Sequence, residues 1–353
     1  MTSPAPEPSL LSGPGDWHRS RLLPPVEQVR PGLWSIPVPL PNVSLRYVLV
    51  YVFETDAGPY LVDAGWDTEE AYDGLAAGLA SIGTRVQDVQ GILVTHFHRD
   101  HYGLAARVRE VSGAWVALHP ADARIIPGLT EAQLVPRMLT MLRNAGAPCE
   151  VIDLQHASLR GLDLGDMPSP DILLEDGARP DVPGWGIEAL WTPGHSPGHL
   201  CFWEPRHRLL LSGDHILPGI TPNVPSPSNE RPDPLGDFLR SLERLERRDP
   251  AEVLPAHEHR FTGLDARLRE LRDHHDGRFA EVLAALADGA VLGWDVASRM
   301  RWSRPWESMD ELGRRAATGE AMSHLRVLAL RGIVREQPGE PVRWRLADTS
   351  PVA

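Results

Sequence analysis

The chain has 353 residues, of which 42% are hydrophobic and 24% charged, the composition of an ordinary folded protein with room for one large domain or two unequal ones. Its formal net charge of −13 argues against general affinity for nucleic acids, because attraction to phosphate needs a basic surface, although a local basic patch stays open. Cys149 and Cys201 are too few for a disulfide framework or a cysteine metal site, so any metal must be held by His and Asp.

The amino-terminal segment has the composition of a loose arm. Residues 1–27 are rich in Pro, Ser and Gly, which predicts a flexible segment, and no basic region followed by an apolar core occurs there. No stretch of the chain approaches the length of a membrane span. All 35 basic residues are arginines, which is typical of a GC-rich bacterial genome. We therefore expect a cytoplasmic bacterial protein without membrane contact.

Strands and helices alternate through the next 230 or so residues. Strands are predicted at 33–38, 47–54, 60–63, 91–95, 114–118, 186–191, 200–204, 208–212 and 252–255. Helices are predicted at 68–82, 102–111, 131–145 and 235–246. Strands mixed with helices indicate an α/β protein with mixed sheets, and we assign this domain to residues 28–263.

The composition changes after about residue 263, where helices dominate. Helices are predicted at 264–286, 294–300 and 314–330, followed by a hairpin of strands at 333–336 and 342–346. This order predicts a small winged-helix-like domain over 264–353. From 278 to 353 the chain has 11 arginines against 10 carboxylates, a net charge of +1, which lacks the basic footprint of a DNA reader. We expect this domain to cap an active site or to form a homodimer contact.

The stretch THFHRDHYG, residues 95–103, concentrates titratable groups directly after an apolar strand. Desolvating such groups costs free energy unless they are paired, hydrogen-bonded or bound to metal. His96 and His98 lie two residues apart and can point toward one ion, whereas Asp100 and His101 lie where the chain turns into a helix and can face a neighbouring point. The stretch therefore predicts two adjacent metal positions.

Three later loops supply the remaining ligands that two metals need. TPGHSPGH (192–199), SGDH (212–215) and PAHEH (255–259) each follow an apolar strand, at the kind of position where functional sites usually lie. Together, HxHxDH, TPGHSPGH, GDH and PAHE resemble the motifs of the metallo-β-lactamase-fold hydrolases, over roughly residues 30–260.

This resemblance implies an αββα four-layer fold and a dinuclear metal centre. The ligand scheme of the family carries over onto His96, His98 and His195 for one metal, Asp100, His101 and His257 for the other, and Asp214 as the bridge. Asp63 in LVDAG matches a family aspartate that supports the ligands from behind. Zinc is the favoured metal, with iron or manganese as alternatives.

The bridging residue also separates branches of the family. True β-lactamases of this fold usually lack the aspartate supplied here by Asp214, so the chain resembles the glyoxalase II-like branch instead. That branch implies hydrolysis of a thioester or related ester, of the acyl-CoA or hydroxyacylglutathione type. Two ions about 3.5 to 4 Å apart would share a water and lower its pKa, and Asp100 and Asp214 would orient the resulting hydroxide. Alternatives are an endoribonuclease, a phosphodiesterase, a lactonase, or a winged-helix regulator with a degenerate hydrolase domain.

A few further residues near the motifs have weaker signals. His199 is interpreted as a residue that supports the ligands without binding metal. Tyr102, His215 and His259 adjoin ligands and are candidate substrate contacts, each with a purely structural alternative. His119 in ALHPAD is interpreted as a structural loop residue.

Overall fold

The structure of the chain, a computed structural model, describes residues 23–41, 45–161, 167–228 and 231–347. Most of the predicted flexible arm lies outside the described residues, and the first strand begins at Glu27. None of the helices in the described ranges is long and apolar enough to cross a bilayer.

Two sheets form the centre of the molecule. The first has seven strands in chain order: β1 (Glu27–Arg30), β2 (Leu33–Pro39), β3 (Tyr47–Phe53), β4 (Tyr60–Val62), β5 (Gly91–Leu93), β6 (Trp115–Leu118) and β7 (Ile172–Leu173). The second has the order β11-β10-β9-β8, with β8 (Glu188–Trp191), β9 (Leu200–Glu204), β10 (Leu209–Gly213) and β11 (Glu252–Pro255). Pairing is parallel from β4 to β7 and between β10 and β11, and antiparallel elsewhere in the two sheets, so both sheets are mixed as predicted.

Helices cover the outer faces of the two sheets and form the carboxyl-terminal part. They are α1 (Glu69–Ser81), α2 (Arg99–Tyr102), α3 (Ala105–Ser112), α4 (Pro120–Ala123), α5 (Glu131–Ala145), α6 (Cys149–Ser158), α7 (Pro234–Leu245), α8 (Leu264–Ala287), α9 (Gly293–Arg299) and α10 (Glu311–Leu330). A hairpin of β12 (Val334–Gln337) and β13 (Arg343–Leu346) follows α10. The single helix predicted at 102–111 is divided into α2 and α3, and the sequence reasoning missed α6.

The alternation of side chains along the central strands explains the layers of the first sheet. Val50 of β3 lies in a hydrophobic cluster with Leu75 of α1, on the outer face. Its neighbour Tyr51 points the other way and lies in a second cluster with Phe202 of β9, between the sheets. Because successive strand residues point to opposite faces, a strand in this position must be apolar at every residue.

The second sheet repeats this arrangement on its own outer face. Leu211 of β10 faces the first sheet, whereas Leu210 packs in a cluster with Leu242 of α7 and Leu268 of α8. The layers are therefore helix, sheet, sheet and helix, which confirms the predicted αββα fold.

The carboxyl-terminal elements share the hydrophobic cluster of the second sheet. Val296 of α9, Leu325 of α10 and Trp344 of β13 belong to the cluster that also contains Leu210. Three helices followed by a hairpin is the order that a winged-helix-like domain requires. That assignment and the boundary after residue 263 stay predictions, since the two parts form one continuous core.

Candidate dinuclear metal centre

The four predicted ligand loops meet at one edge of the two sheets. His96 and His98 follow β5, His195 lies between β8 and β9, Asp214 follows β10 directly, and His257 follows β11. Because β10 and β11 are parallel, their carboxyl ends lie side by side, and the loops after them emerge at the same place. The topology therefore brings together predicted ligands that lie up to 161 residues apart in the sequence.

The first set of predicted ligands, called the histidine group here, consists of His96, His98 and His195. The Nε2 atom of His195 lies 3.1 Å from Nε2 of His96 and 2.9 Å from Nδ1 of His98, and the latter two atoms lie 2.9 Å apart. On the far side of its ring, Nδ1 of His195 lies 2.7 Å from the carbonyl oxygen of Asn223 and donates to it. Neutral His195 therefore presents an unprotonated Nε2 to the other two rings, which is the arrangement that a metal ligand needs.

The second set, called the mixed group, consists of Asp100, His101 and His257. Nε2 of His257 lies 3.3 Å from Oδ2 of Asp100, and Nε2 of His101 lies 3.6 Å from the same oxygen. Nδ1 of His257 donates to the carbonyl oxygen of Tyr47 at 2.9 Å, which leaves Nε2 facing the site. Within the described residues, Nε2 of both histidines is buried without a hydrogen-bond partner. A bound cation would satisfy both atoms.

Asp214 lies between the two groups and faces both of them. Its Oδ1 lies 3.3 Å from Nε2 of His257 and 3.5 Å from Nε2 of His101, and its Oδ2 lies 3.6 Å from Nε2 of His195. Oδ1 is also buried with no hydrogen-bond partner in the described part of the chain. Imidazole nitrogens and carboxylate oxygens are ligands for zinc, iron and manganese, so the residues present fit two divalent cations that share one carboxylate.

Burial and mutual proximity keep the histidine group uncharged. Burial, together with the neighbouring imidazoles, holds the pKa of His96 well below its usual range. Burial and the ring of His195 lower the pKa of His98 to about 3, and burial lowers the pKa of His195. These three nitrogens therefore stay free of protons near neutral pH and are available to a cation.

The mixed group has the opposite electrostatic character. Burial lowers the pKa of His101, but the carboxylates of Asp100 and Asp214 outweigh it and raise that pKa well above its usual value. Burial raises the pKa of Asp214, yet His257 and His101 outweigh it and hold that pKa well below the usual range. The carboxylates are therefore ionised and attract positive charge, whether protons or metal ions.

Asp63 supports the mixed group from behind. One of its oxygens lies 2.8 Å from Nδ1 of His101, and the other accepts a hydrogen bond from the backbone N–H of Thr95 at 2.8 Å. Asp63 has a left-handed backbone conformation, with φ of 63°, which non-glycine residues rarely adopt. This aspartate, singled out in LVDAG, thus contacts the predicted ligand His101 and holds the start of the HFHRDH loop.

His199 lies behind the bridging residue. Its Nδ1 is 2.9 Å from Oγ1 of Thr192, and its Nε2 accepts a hydrogen bond from the backbone N–H of Asp214 at 3.2 Å. Gly213 makes this approach possible, because its φ is 51° and a Cβ there would come within 2.7 Å of Nε2 of His199. The structure thus places His199 in a supporting position and not among the ligand atoms.

The structure places the three candidate substrate contacts differently. The side chain of Tyr102 is fully buried and its hydroxyl donates to the carbonyl oxygen of Pro168, so that hydroxyl is not presented to a substrate. His215 is also fully buried, with its ring 4.7 Å from that of Phe238, so it is neither an exposed loop residue nor accessible to a substrate. His259 is half-buried and follows the predicted ligand His257 by two residues.

The sequence reasoning missed Asp122, which lies in the ALHPAD segment after β6. Its side chain is fully buried and accepts hydrogen bonds from two ligand loops, at the backbone N–H of Phe97 and at Ser196 and Gly198. Burial outweighs these hydrogen bonds and raises the pKa of Asp122 to about 6. The sequence feature that could have identified Asp122 is a carboxylate just after a central strand, at the same edge of the sheets as the four motifs.

Comparison with known proteins agrees with this geometry. The profile of the Metallo-beta-lactamase superfamily matches residues 43–257, which contain every ligand named above. The probable metallo-hydrolase YqjP of Bacillus subtilis is 26% identical over 286 residues, which cover 75% of this chain and 84% of that protein. A hydroxyacylglutathione hydrolase of Pseudomonas aeruginosa is 31% identical, but over only 127 residues, or 36% of this chain and 33% of that enzyme.

Solved structures show the same fold over nearly the whole chain. A metallo-beta-lactamase family protein from Thermus thermophilus is 30% identical with a TM-score of 0.75, covering 90% of this chain and 100% of that one. A beta-lactamase domain protein from Burkholderia ambifaria is 27% identical with a TM-score of 0.76, covering 91% and 93% of the two chains. The likeness therefore extends beyond the profile match into the carboxyl-terminal helices.

Proposed function

The chain belongs to the metallo-β-lactamase superfamily of metal-dependent hydrolases, and on that premise we propose that it holds two divalent cations and cleaves a thioester or a related ester. Zinc is the proposed metal, with iron and manganese as the alternatives to test. The histidine group would hold one ion, and the mixed group would hold the other. Asp214 would contact both ions.

One observation carries the dinuclear proposal. The two carboxylate oxygens of Asp214 face different ligand groups. One ring nitrogen of His96, one ring nitrogen of His101 and one oxygen of Asp214 lie within 4.8 Å of one another, so the two groups adjoin. A carboxylate that is buried among the ligand side chains of both groups without a counter-ion would be costly, because desolvation disfavours its charge. Two cations offset that cost.

Asp100 is the residue that we assign to positioning the attacking water. Bound divalent cations supply Lewis acidity, which acidifies a water molecule and polarises the scissile carbonyl group. The side chain of Asp100 is 18% exposed, against 9% for Asp214, so Asp100 is the carboxylate that an incoming water reaches. Its carboxylate accepts a hydrogen bond from that water and orients it toward the carbonyl carbon. The water oxygen bonds to that carbon and the C–S or C–O bond breaks. The proton given up by the water goes to the leaving sulfur or oxygen, which departs as a thiol or an alcohol.

Contacts of α10 support a role for the carboxyl-terminal part in building the site. The hydroxyl of Ser323 donates to the carbonyl oxygen of Pro225 at 2.9 Å, and Nε of Arg326 donates to that of Pro232 at 3.1 Å. This loop also contains Asn223, whose carbonyl oxygen orients His195. These contacts join the carboxyl-terminal part to the loop that contains Asn223, and they support the proposed capping role.

The substrate class rests on the partial likeness to the hydroxyacylglutathione hydrolase and on the bridging aspartate. Purified protein should contain close to two metal ions per chain, and a panel of acyl-CoA, hydroxyacylglutathione, lactone, phosphodiester and RNA substrates should show fastest turnover with a thioester. Fastest turnover of RNA or a phosphodiester would contradict the substrate class, whereas trace metal after reconstitution would contradict the whole proposal.

Asp214→Ser is the decisive variant for the bridge. It should retain at most one tightly held metal and lose most turnover, because serine cannot present two oxygens to two groups. Asp153→Ser is the matched control, since Asp153 is exposed on α6. Near wild-type metal content and turnover in Asp214→Ser would show that the bridge is misassigned.

A further inference from the structure

Asp122 is a buried carboxylate that belongs to neither ligand group. It lies on α4, directly after β6, with no exposed surface on its side chain. A buried, ionisable aspartate costs free energy unless hydrogen bonds compensate for the water it has lost. Its partners therefore indicate why the fold retains a carboxylate at this position.

The hydrogen bonds of Asp122 connect two ligand loops. Oδ2 accepts from the backbone N–H of Phe97 at 3.1 Å and from the hydroxyl of Ser196 at 2.7 Å, and Oδ1 accepts from the backbone N–H of Gly198 at 2.5 Å. Phe97 lies between the ligands His96 and His98, and Ser196 directly follows the ligand His195. A single oxygen atom thus joins the two loops that carry the whole histidine group.

The packing around Asp122 shows that the connection is close. A Cβ atom on Gly198 would come within 2.6 Å of the backbone nitrogen of Asp122 and within 2.7 Å of its carboxylate carbon. Only glycine at position 198 allows the loop that contains His195 to approach the Asp122 carboxylate at this distance. Any residue larger than glycine would force this loop or Asp122 to shift.

The mixed group is held by a separate set of contacts. His101 lies against Asp63, and His257 donates to the carbonyl oxygen of Tyr47. None of the three hydrogen bonds of Asp122 described above goes to a residue of the mixed group or to these supports. Loss of the Asp122 carboxylate should therefore affect one metal position and not the other.

We propose that Asp122 is a positioning residue that sets the spacing of His96, His98 and His195 and so determines the affinity of the first metal position, an inference that rests on the proposed dinuclear site. Partners of ligands that lie one layer further out typically change metal affinity about 10- to 100-fold when they are removed. A carboxylate that joins two ligand loops belongs in this class.

The test measures zinc affinity in two backgrounds that each leave one group complete. In His257→Ala only the histidine group is complete, and in His98→Ala only the mixed group is complete. Competition with a chromophoric chelator gives the dissociation constant of the remaining site in each background, without reference to turnover. Asp122→Asn keeps the shape of the side chain but places an amide NH2 against one of three donors. In the His257→Ala background, Asp122→Asn should raise the dissociation constant for zinc about 10- to 100-fold. In the His98→Ala background, the dissociation constant should stay within about 2-fold of its value without Asp122→Asn.

Each other outcome overturns the proposal. Equal weakening in both backgrounds would show a general structural role, and unchanged constants in both would show that the carboxylate does not set the spacing. If Asp122→Asn does not fold, as judged by circular dichroism, Ser196→Ala decides by the same criteria, because it removes one of the three hydrogen bonds. Absence of zinc from the wild-type protein would contradict the proposed function itself and is a separate result.

Discussion

A pair of buried histidines, His275 on α8 and His324 on α10, makes the stability of this protein depend on pH. Their rings are 3% and 1% exposed. Nδ1 of His324 lies 2.7 Å from the carbonyl oxygen of Glu320 and donates to it, so Nε2 of His324 accepts from Nδ1 of His275 at 3.1 Å. This hydrogen bond requires His324 to be neutral, and protonation of Nε2 would break it.

The magnitude follows from the pKa values of the two rings. Burial lowers the pKa of His324 to about 4, and burial together with the ring of His324 lowers the pKa of His275 to about 2. Both values lie below the usual value of about 6.5, so the unfolded chain binds protons more readily than the folded protein. The stabilisation is therefore fully present above about pH 6.5 and is lost as the pH falls toward the folded-state values. Between pH 8 and pH 5 the loss is about 2 kcal/mol for each ring.

The assay compares the free energy of unfolding in urea at several pH values between 8 and 5. In the double variant His275→Leu, His324→Leu, the loss of stability over this range should be about 4 kcal/mol smaller than in the wild type, because neither titrating ring remains. The metal ligands are the same in both proteins, so their titration cancels in the comparison. His156→Gln, at an exposed position on α6, is the control and should follow the wild type. An equal loss of stability in the double variant and the wild type would refute the reasoning.

Three further predictions concern the supports of the site. Asp63→Asn should weaken metal binding about 10- to 100-fold in the His98→Ala background, because Asp63 contacts His101 directly, as measured by chelator competition. The effect should be smaller in the His257→Ala background, where Asp63 acts only through Thr95. Gly213→Ala should lower the free energy of unfolding by about 1–2 kcal/mol in urea titrations, because alanine is strained at a φ of 51°; an unchanged midpoint would contradict this. Deletion of residues 264–353 should give insoluble protein, because Leu210 and Leu242 would lose the carboxyl-terminal side chains that pack in the same hydrophobic cluster. A soluble monomer in size-exclusion chromatography would instead indicate a separable domain.

Local patterns explain how much of the fold and site could be predicted from the sequence. The apolar run of β3 indicates a strand buried on both faces, and HFHRDH contains four predicted ligands within six residues. Neither inference requires knowledge of distant contacts. Asp122 was missed because its partners Phe97 and Ser196 lie 25 and 74 residues away. Tyr102 was expected near a substrate because it follows a ligand, but the sequence does not show which way α2 directs it.

Other elements lacked a local signal altogether. β7 has only two residues, both exposed, so it shows no alternation that could distinguish it from a loop. The hydrogen bond between His275 and His324 joins residues 49 apart on two helices, and no motif marks it. The cytoplasmic location, the homodimer contact and the winged-helix identity stay predictions, because they depend on surroundings or on comparisons beyond the contacts described above.

The hydrophobic cluster shared by the second sheet and the carboxyl-terminal elements has a consequence for the order in which the protein can assemble on the ribosome. Asp214 and His257 follow strands of that sheet, whose outer face also needs Leu325 and Trp344 for its cover. A nascent chain that has extended only a few residues past β11 already contains every proposed metal ligand, yet the outer face of its second sheet is still open to water. We therefore expect the metal centre to mature late, after the final hairpin has left the exit tunnel, and chains that terminate early to be substrates for chaperones and proteases.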